Sequence, residues 1–182
     1  MYRDTQRYDE SKERYKAAIT IYERLSESNP SLFIIDLLGN KLALADICSY
    51  TNDFQAAYSI MNEVIQKSHD LYFADKEEWG STYALSMRRG AFFANMTGRF
   101  DEGEELARES IGIDSTEELV YTDLAAALLM QGKLEEAEKL YRQFKPQFKD
   151  TFLDDFTTME QLDIIPEGRK ADVMRIKQLL NE

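Results

Sequence analysis

Three short turns with matching surroundings constrain this chain more than any other feature of its sequence. They are Asn52-Asp53-Phe54, Gly98-Arg99-Phe100 and Gly132-Lys133-Leu134, and the last two stand 34 residues apart. Before each turn lies a small residue on an apolar helical face: Ala45, Ala91 and Ala125. After each lies a second: Ala57, Gly103 and Ala137. The distance between packed helices is set by the side chains at their contact, so small residues here predict closely apposed hairpin mates. A larger residue ends each turn: Phe54, Phe100 and Leu134.

Apolar residues recur at three- and four-residue steps almost throughout, the period of helices buried on one face. Only 8 Gly and 3 Pro interrupt them. Tyr15, Ala18, Ile19, Tyr22 and Leu25 mark a first helix, which stops near Ser28 because the residue before Pro30 is biased away from helix. Ser31 caps a second, with Phe33, Leu37, Leu38, Leu42, Ala45 and Cys48 as its apolar positions. The same spacing predicts helices from Phe54, around Tyr83 to Ala94, from Phe100, Tyr121 and Leu134, and two short ones over 151–162 and 170–180. Ser115 and Glu118 have capping-box spacing at the start of the sixth. The first two turns are 46 residues apart, so extra residues are housed in longer helices or in a loop near the less regular stretch 69–80.

A helix–turn–helix unit of about 34 residues with this alternation of small and large positions resembles the tetratricopeptide repeat. The resemblance covers roughly residues 14–149. It departs from the family pattern at Lys41 and Met87, where the family has a large aromatic and only Tyr121 conforms, and at Gly90, which replaces a leucine. It implies an all-α fold, a right-handed superhelix of stacked hairpins forming one domain over 1–182. An N-terminal helix or half-repeat occupies 1–30, hairpins occupy 31–68, 76–111 and 115–149, and capping helices occupy 150–182. Residues 14–30 match the second half of a repeat, and Tyr2 to Glu13 are too polar to match the first.

In such proteins the first helix of each pair lines a concave surface that holds a peptide or protein segment. By the resemblance, the inward residues are Asp46, Ser49 and Tyr50 in the first clear hairpin, Arg88, Phe92, Asn95 and Met96 in the second, and Thr122, Leu129 and Met130 in the third. Tyr50, Phe92, Met96, Leu129 and Met130 offer apolar area, while Asp46, Arg88 and Asn95 offer directional polar groups. That mixture suits a segment with one or two hydrophobic anchors. Family members that grip acidic chaperone tails use Lys and Asn where this chain has Leu42 and Asp46, so an acidic tail is not the expected guest. The competing reading makes the same residues core, covered by the C-terminal helices.

The chain carries 22 Lys and Arg against 34 Asp and Glu, a net charge of −12. Residues 101–182 account for −10 of it. That half repels nucleic acid and anionic membranes, so neither is expected as a partner. It also supports an alternative function, an acidic inhibitor or immunity-type protein that blocks a basic enzyme such as a nuclease. No apolar run approaches the roughly 18 residues of a membrane helix, and Met1 to Arg7 show no secretory signal. A single cysteine, Cys48, and a single histidine, His69, make neither an internal disulfide nor a His/Cys zinc site, and the cysteine usage fits the cytoplasm.

No phosphate-binding loop, nucleophile elbow or Cys–His arrangement is present, so no enzyme, cofactor or metal is expected. Glu102-Glu104-Glu105, Glu135-Glu136 and Asp154-Asp155 read as solvated helix faces. Leu71, Tyr72, Phe73, Trp79 and Tyr83 read first as packing of a longer hairpin and second as an exposed aromatic patch. A stack with an uncapped apolar end can pair with itself, so a homodimer is also open.

Overall fold

Apolar faces at helical spacing yield helix along nearly the whole chain. The computed structural model describes residues 2–182, without the side chains of residues 2–6, 30 and 31. The second helix, Pro30–Tyr50, has Asn29 at its N-cap, so Ser31 lies within the helix and is not its cap as expected; Met1 lies outside the described residues. The described order is α1 (Tyr2–Ser28), α2 (Pro30–Tyr50), α3 (Phe54–Ala74), α4 (Lys76–Asn95), α5 (Phe100–Ile113), α6 (Val120–Met130), α7 (Leu134–Gln161), a 3₁₀ turn (Glu167–Arg169) and α8 (Lys170–Asn181). No strand occurs among the described residues, and the fold is an all-α arrangement of helical hairpins. Contacts divide the chain into two compact units, Met1–Lys67 and Ser68–Glu182.

Four turns close in the same way. Each has one residue in the left-handed region: Asn52 at φ 58°, Gly98 at 77°, Gly132 at 83° and Asp163 at 52°. Its N–H donates to the carbonyl three residues back, and the next N–H donates to the carbonyl five residues back. The pairs are Asn52 to Ser49 with Asp53 to Cys48, Gly98 to Asn95 with Arg99 to Ala94, Gly132 to Leu129 with Lys133 to Leu128, and Asp163 to Glu160 with Ile164 to Met159, all between 2.8 and 3.2 Å. This is the Schellman closure, which satisfies carbonyls that a helix end leaves open. Glycine adopts the left-handed turn without steric cost, and Asn and Asp tolerate it, which explains the residue types. The turn at Asp163 closes a helix pair that the sequence shows only as two short helices.

Within Ser68–Glu182, α4 packs on α5 and α6, α5 on α6, α6 on α7, and α7 on α8. Met87, Ala91, Leu128, Ala137, Tyr141, Phe152, Phe156, Met159 and Ile176 are buried there. Residues 69–80 are not a loop. Helix α3 runs to Ala74, and Asp75 caps α4 by accepting the N–H groups of Glu77 and Glu78 at 3.1 and 3.0 Å. The capping box expected at Ser115 does not form. Asp114 instead accepts the N–H and hydroxyl of Thr116, which holds a turn there, and α6 starts at Val120. Helix α7 passes through Pro146 and bends at Phe148 (φ −124°, ψ 20°), so residues 134–147 and 149–161 are two helices joined without a loop. Missing backbone bonding and ring clash at a proline account for the bend.

Within Met1–Lys67, α1 packs along α2, with Tyr22 against Phe33 and Tyr8 against Tyr50 at ring-centroid distances of 6.4 and 5.9 Å. Helix α1 is unbroken from Tyr2, so the polar stretch 2–13 is part of one long helix and not a hairpin half of its own. Leu37, Leu38, Ala45, Ala57, Met61 and Val64 are buried. Lys41 stands where the repeat pattern puts a large aromatic, and its side chain is 6% exposed. Its ammonium bridges Glu23 of α1 at 3.1 Å and Glu63 of α3 at 2.5 Å. Burial works against the charge, but hydrogen bonds to Glu63 and Glu23 outweigh it and raise the lysine pKa. Replacing Lys41 with Ala removes both bridges and the packed stem, and is expected to cost about 2 kcal/mol in urea unfolding. Lys41→Met, which keeps the stem, recovers part of that loss.

Candidate functional site

The ten residues that the resemblance places on an inner face fall into distinct environments. Asn95, Met96, Thr122, Leu129 and Met130 each retain 3% or less of their surface, so they offer a guest almost nothing to touch. Arg88 and Phe92 are half-buried, and the Phe92 ring meets Phe93 edge-on at 5.1 Å. Asp46 and Ser49 on α2 are half-buried, with the Ser49 hydroxyl donating to the Asp46 carbonyl at 2.7 Å. Tyr50 is 68% exposed.

Asn95 has an internal task. Its Nδ2 donates to the Asp123 carbonyl at 2.8 Å, which joins α4 to α6. Its Oδ1 lies over Gly103 of α5, where an added Cβ would come within 2.2 Å of it. The other two hairpins carry alanine at the matching place. Residue 103 is glycine because the amide of Asn95 occupies the room a methyl group would need. The Ser110 hydroxyl adds a second staple, donating to the Ala84 carbonyl at 2.8 Å.

The open apolar surface lies on α2. Leu32 is 66% exposed and Ile35 is 67% exposed, and Leu32, Ile35, Gly39, Ala43, Asp46 and Tyr50 follow one another at steps of three and four along a single face, with Asp36 beside Ile35. The opposite face buries Leu37, Leu38, Leu44 and Ala45. A helix apolar all round is normally covered all round. Scattered exposed leucines are ordinary, but a row along one face is not. A Cβ at Gly39 would meet nothing within 4 Å among the described residues, so the middle of the stripe is a flat floor. From Leu32 to Tyr50 the stripe runs about 27 Å at the helical rise. Leu32, Ile35, Asp36 and Gly39 are not among the inner positions read from the sequence. Their signal was there: only Asp36, Lys41 and Asp46 are charged in the 21 residues of α2.

A second feature was missed altogether. Asp123 of α6 is 3% exposed, and its Oδ2 has no hydrogen-bond partner among the described residues. Burial pushes its pKa well up, the charge of Asp155 adds to the rise, and Arg88 pulls the other way. Burial, with Asp154 adding, pushes Asp155 up to about 7. Asp154 is exposed as expected, but Asp155 is half-buried and does not lie on a solvated face. The aromatic group at 72–83 packs inward for the most part. Tyr83 is buried, donates to Glu109 at 3.1 Å and is pushed up to about 12 by burial and that carboxylate, while Phe73 stays 61% exposed. No metal-ligating cluster occurs among the described residues.

Hairpins closed by one turn geometry, with small residues set at fixed distances from the turn, define an all-α helical-hairpin repeat protein. The family model described as tetratricopeptide repeat matches residues 1–30 and 119–143, under half of the chain. The second match spans α6 and the start of α7. The first covers α1, including its polar stretch 2–13. Tetratricopeptide repeats generally mediate protein–protein interactions. A comparison with curated proteins found no match. No helix of the described residues is long and apolar enough to cross a membrane.

The Asn95–Gly103 contact is open to a double-mutant cycle in urea. Gly103→Ala forces the amide away and is expected to destabilise by about 1–3 kcal/mol. Asn95→Ala loses the bond to Asp123 at a cost of about 1–2 kcal/mol. The double variant should cost clearly less than the sum, because the methyl group then has room. Strict additivity would show that the two side chains do not compete for the same space.

Proposed function

We propose that this chain is a non-enzymatic protein-binding module that holds a segment of another protein along the outer face of α2. The α2 stripe carries this reading. Leu32 and Ile35 supply apolar anchoring at one end and Tyr50 at the other, over the floor formed by Gly39 and Ala43. Asp46 and Ser49 belong to the same surface. Asp36, exposed within the stripe, favours a guest with a basic residue beside its apolar anchors, and it disfavours an acidic tail. Arg88 and Phe92, half-buried in the other unit, are a second contact set in this reading, whereas Asn95, Met96, Thr122, Leu129 and Met130 serve packing.

The net charge of −12 speaks against nucleic acid and anionic membranes as partners. The reading needs no cofactor or metal, and it places the chain in the cytoplasm, which suits the lone, buried Cys48 thiol. The acidic-inhibitor alternative draws on net charge alone, and no patch or contact favours it. Ile35→Asp and Tyr50→Ala test the proposal by affinity capture from native lysate. Each is expected to reduce recovery of the bound protein at least about tenfold, as loss of an interface anchor does, with unchanged helical circular dichroism. Met174→Ala, at an exposed site on α8, leaves capture intact. Undiminished capture by Ile35→Asp removes α2 from the interaction.

A further inference from the structure

Between α5 and α7, over α6, lies a groove of about 540 Å³, a size common among sites that hold small molecules. Leu124 and Leu128 of α6 form its floor and are 4% and 1% exposed. Ile111 of α5 and Leu140 of α7, both half-buried, line it from the two sides. Near Glu136 the walls are tied together, since the Arg108 guanidinium reaches across from α5 to that carboxylate at 3.2 Å. Near Gln143 the wall is Tyr121, whose ring lies flat against Phe144 with centroids 4.5 Å apart. Glu136 and Gln143 are seven residues apart on α7, so the groove is about 10 Å long at the helical rise.

The polar groups sit on the rim, and their pairing is uneven. Glu136 is taken by Arg108, which also holds Glu104 at 2.8 Å. Lys139 has no carboxylate partner, and neither the Gln143 amide nor the Tyr121 hydroxyl makes a hydrogen bond, among the described residues. Lys139 and Gln143 stand one turn apart on α7 and share a side of it. The rim thus keeps an uncompensated positive charge, although residues 101–182 as a whole carry −10. An anion is the complement of such a rim. The floor and walls offer no hydrogen-bonding side chain, and their backbone groups are bonded within the helices. A peptide laid there brings amide groups over hydrocarbon without partners, which costs free energy. A hydrocarbon body brings none, and one of about eight carbons spans the groove at bond lengths of about 1.5 Å.

We propose that this groove binds a small amphiphilic carboxylate, with its hydrocarbon body over Leu124 and Leu128 and its anion at the water edge beside Lys139 and Gln143. The site lies wholly within Ser68–Glu182 and is independent of the α2 stripe. Burial of the hydrocarbon supplies affinity, and Lys139 selects the head group. An ion pair at the water edge is worth little by itself, so the selection is several-fold in size.

Octanoate, octan-1-ol and octylammonium share one body and differ in the head, so titrating each into the full chain below its micellar range tests the site. Amide shifts in nuclear magnetic resonance spectra report both place and affinity. Octanoate is expected to shift amides of residues 108–112, 121–128 and 136–143, and to bind about three- to fivefold more tightly than octan-1-ol, with octylammonium the weakest. Lys139→Glu should remove the preference for octanoate over octan-1-ol. Lys149→Glu makes the same charge change outside the groove and should keep it. Acetyl-trileucine with a free C-terminal carboxylate offers a peptide the same anion and should bind more weakly than octanoate. Shifts absent from those three segments overturn the proposal, as do equal affinities for octanoate and octan-1-ol, or a preference that survives Lys139→Glu. Tighter binding of acetyl-trileucine also overturns it and gives the groove to a peptide.

Discussion

Two helices of a hairpin can lie close only where neither carries bulk at the point of contact, and the rest of this structure depends on that restriction. Ala45, Ala57, Ala91, Ala125 and Ala137 have no exposed surface at all. The Cβ position of Gly103 lies 3.4 Å from the Ala91 carbonyl, the distance of backbone touching backbone. In each of these three hairpins the small residues stand seven before and five after the left-handed residue of the turn. A Schellman closure fixes how the second helix leaves the first, so a constant offset brings the small residues opposite each other each time. Turn chemistry and helix packing are one constraint here.

That coupling explains what was legible in the sequence. The three hairpins were readable because glycine or asparagine at the turn and alanine at the contact are local signals of one geometry. The fourth was not, because its turn uses Asp163, and Phe156 stands where the others carry alanine. With that bulk in place, the second helix of the pair begins only at Lys170. The capping box at Ser115 failed for a local reason too, since the Glu118 N–H that it needs donates to the Thr116 carbonyl in the turn. The candidate site was less legible than the fold. Inner positions could be numbered from the repeat, but burial of Met96, Leu129 and Met130 depends on neighbours distant in sequence. The α2 stripe could have been found by asking which helix lacks a polar face.

Departures from the repeat pattern are compensated by particular neighbours. Lys41 replaces an aromatic side chain, and Glu23 and Glu63 come from the flanking helices to take its charge. Gly103 replaces alanine, and the Asn95 amide takes the vacated space while it reaches across to α6. In both places a contact based on shape has become one based on polar groups. A buried polar contact tolerates less variation than an apolar one, because each unpaired partner carries its own desolvation cost.

The same accounting separates the two remaining anomalies. A consistent chain places apolar groups inside and unpaired charges outside, and local violations of that pattern concentrate at functional sites. Helix α2 presents leucine, isoleucine and tyrosine to water, a deficit that only an apolar surface can relieve. Asp123 holds a carboxylate oxygen in a dry place without a donor, a deficit that a proton can relieve. Covering α2 requires another molecule and depends on its concentration.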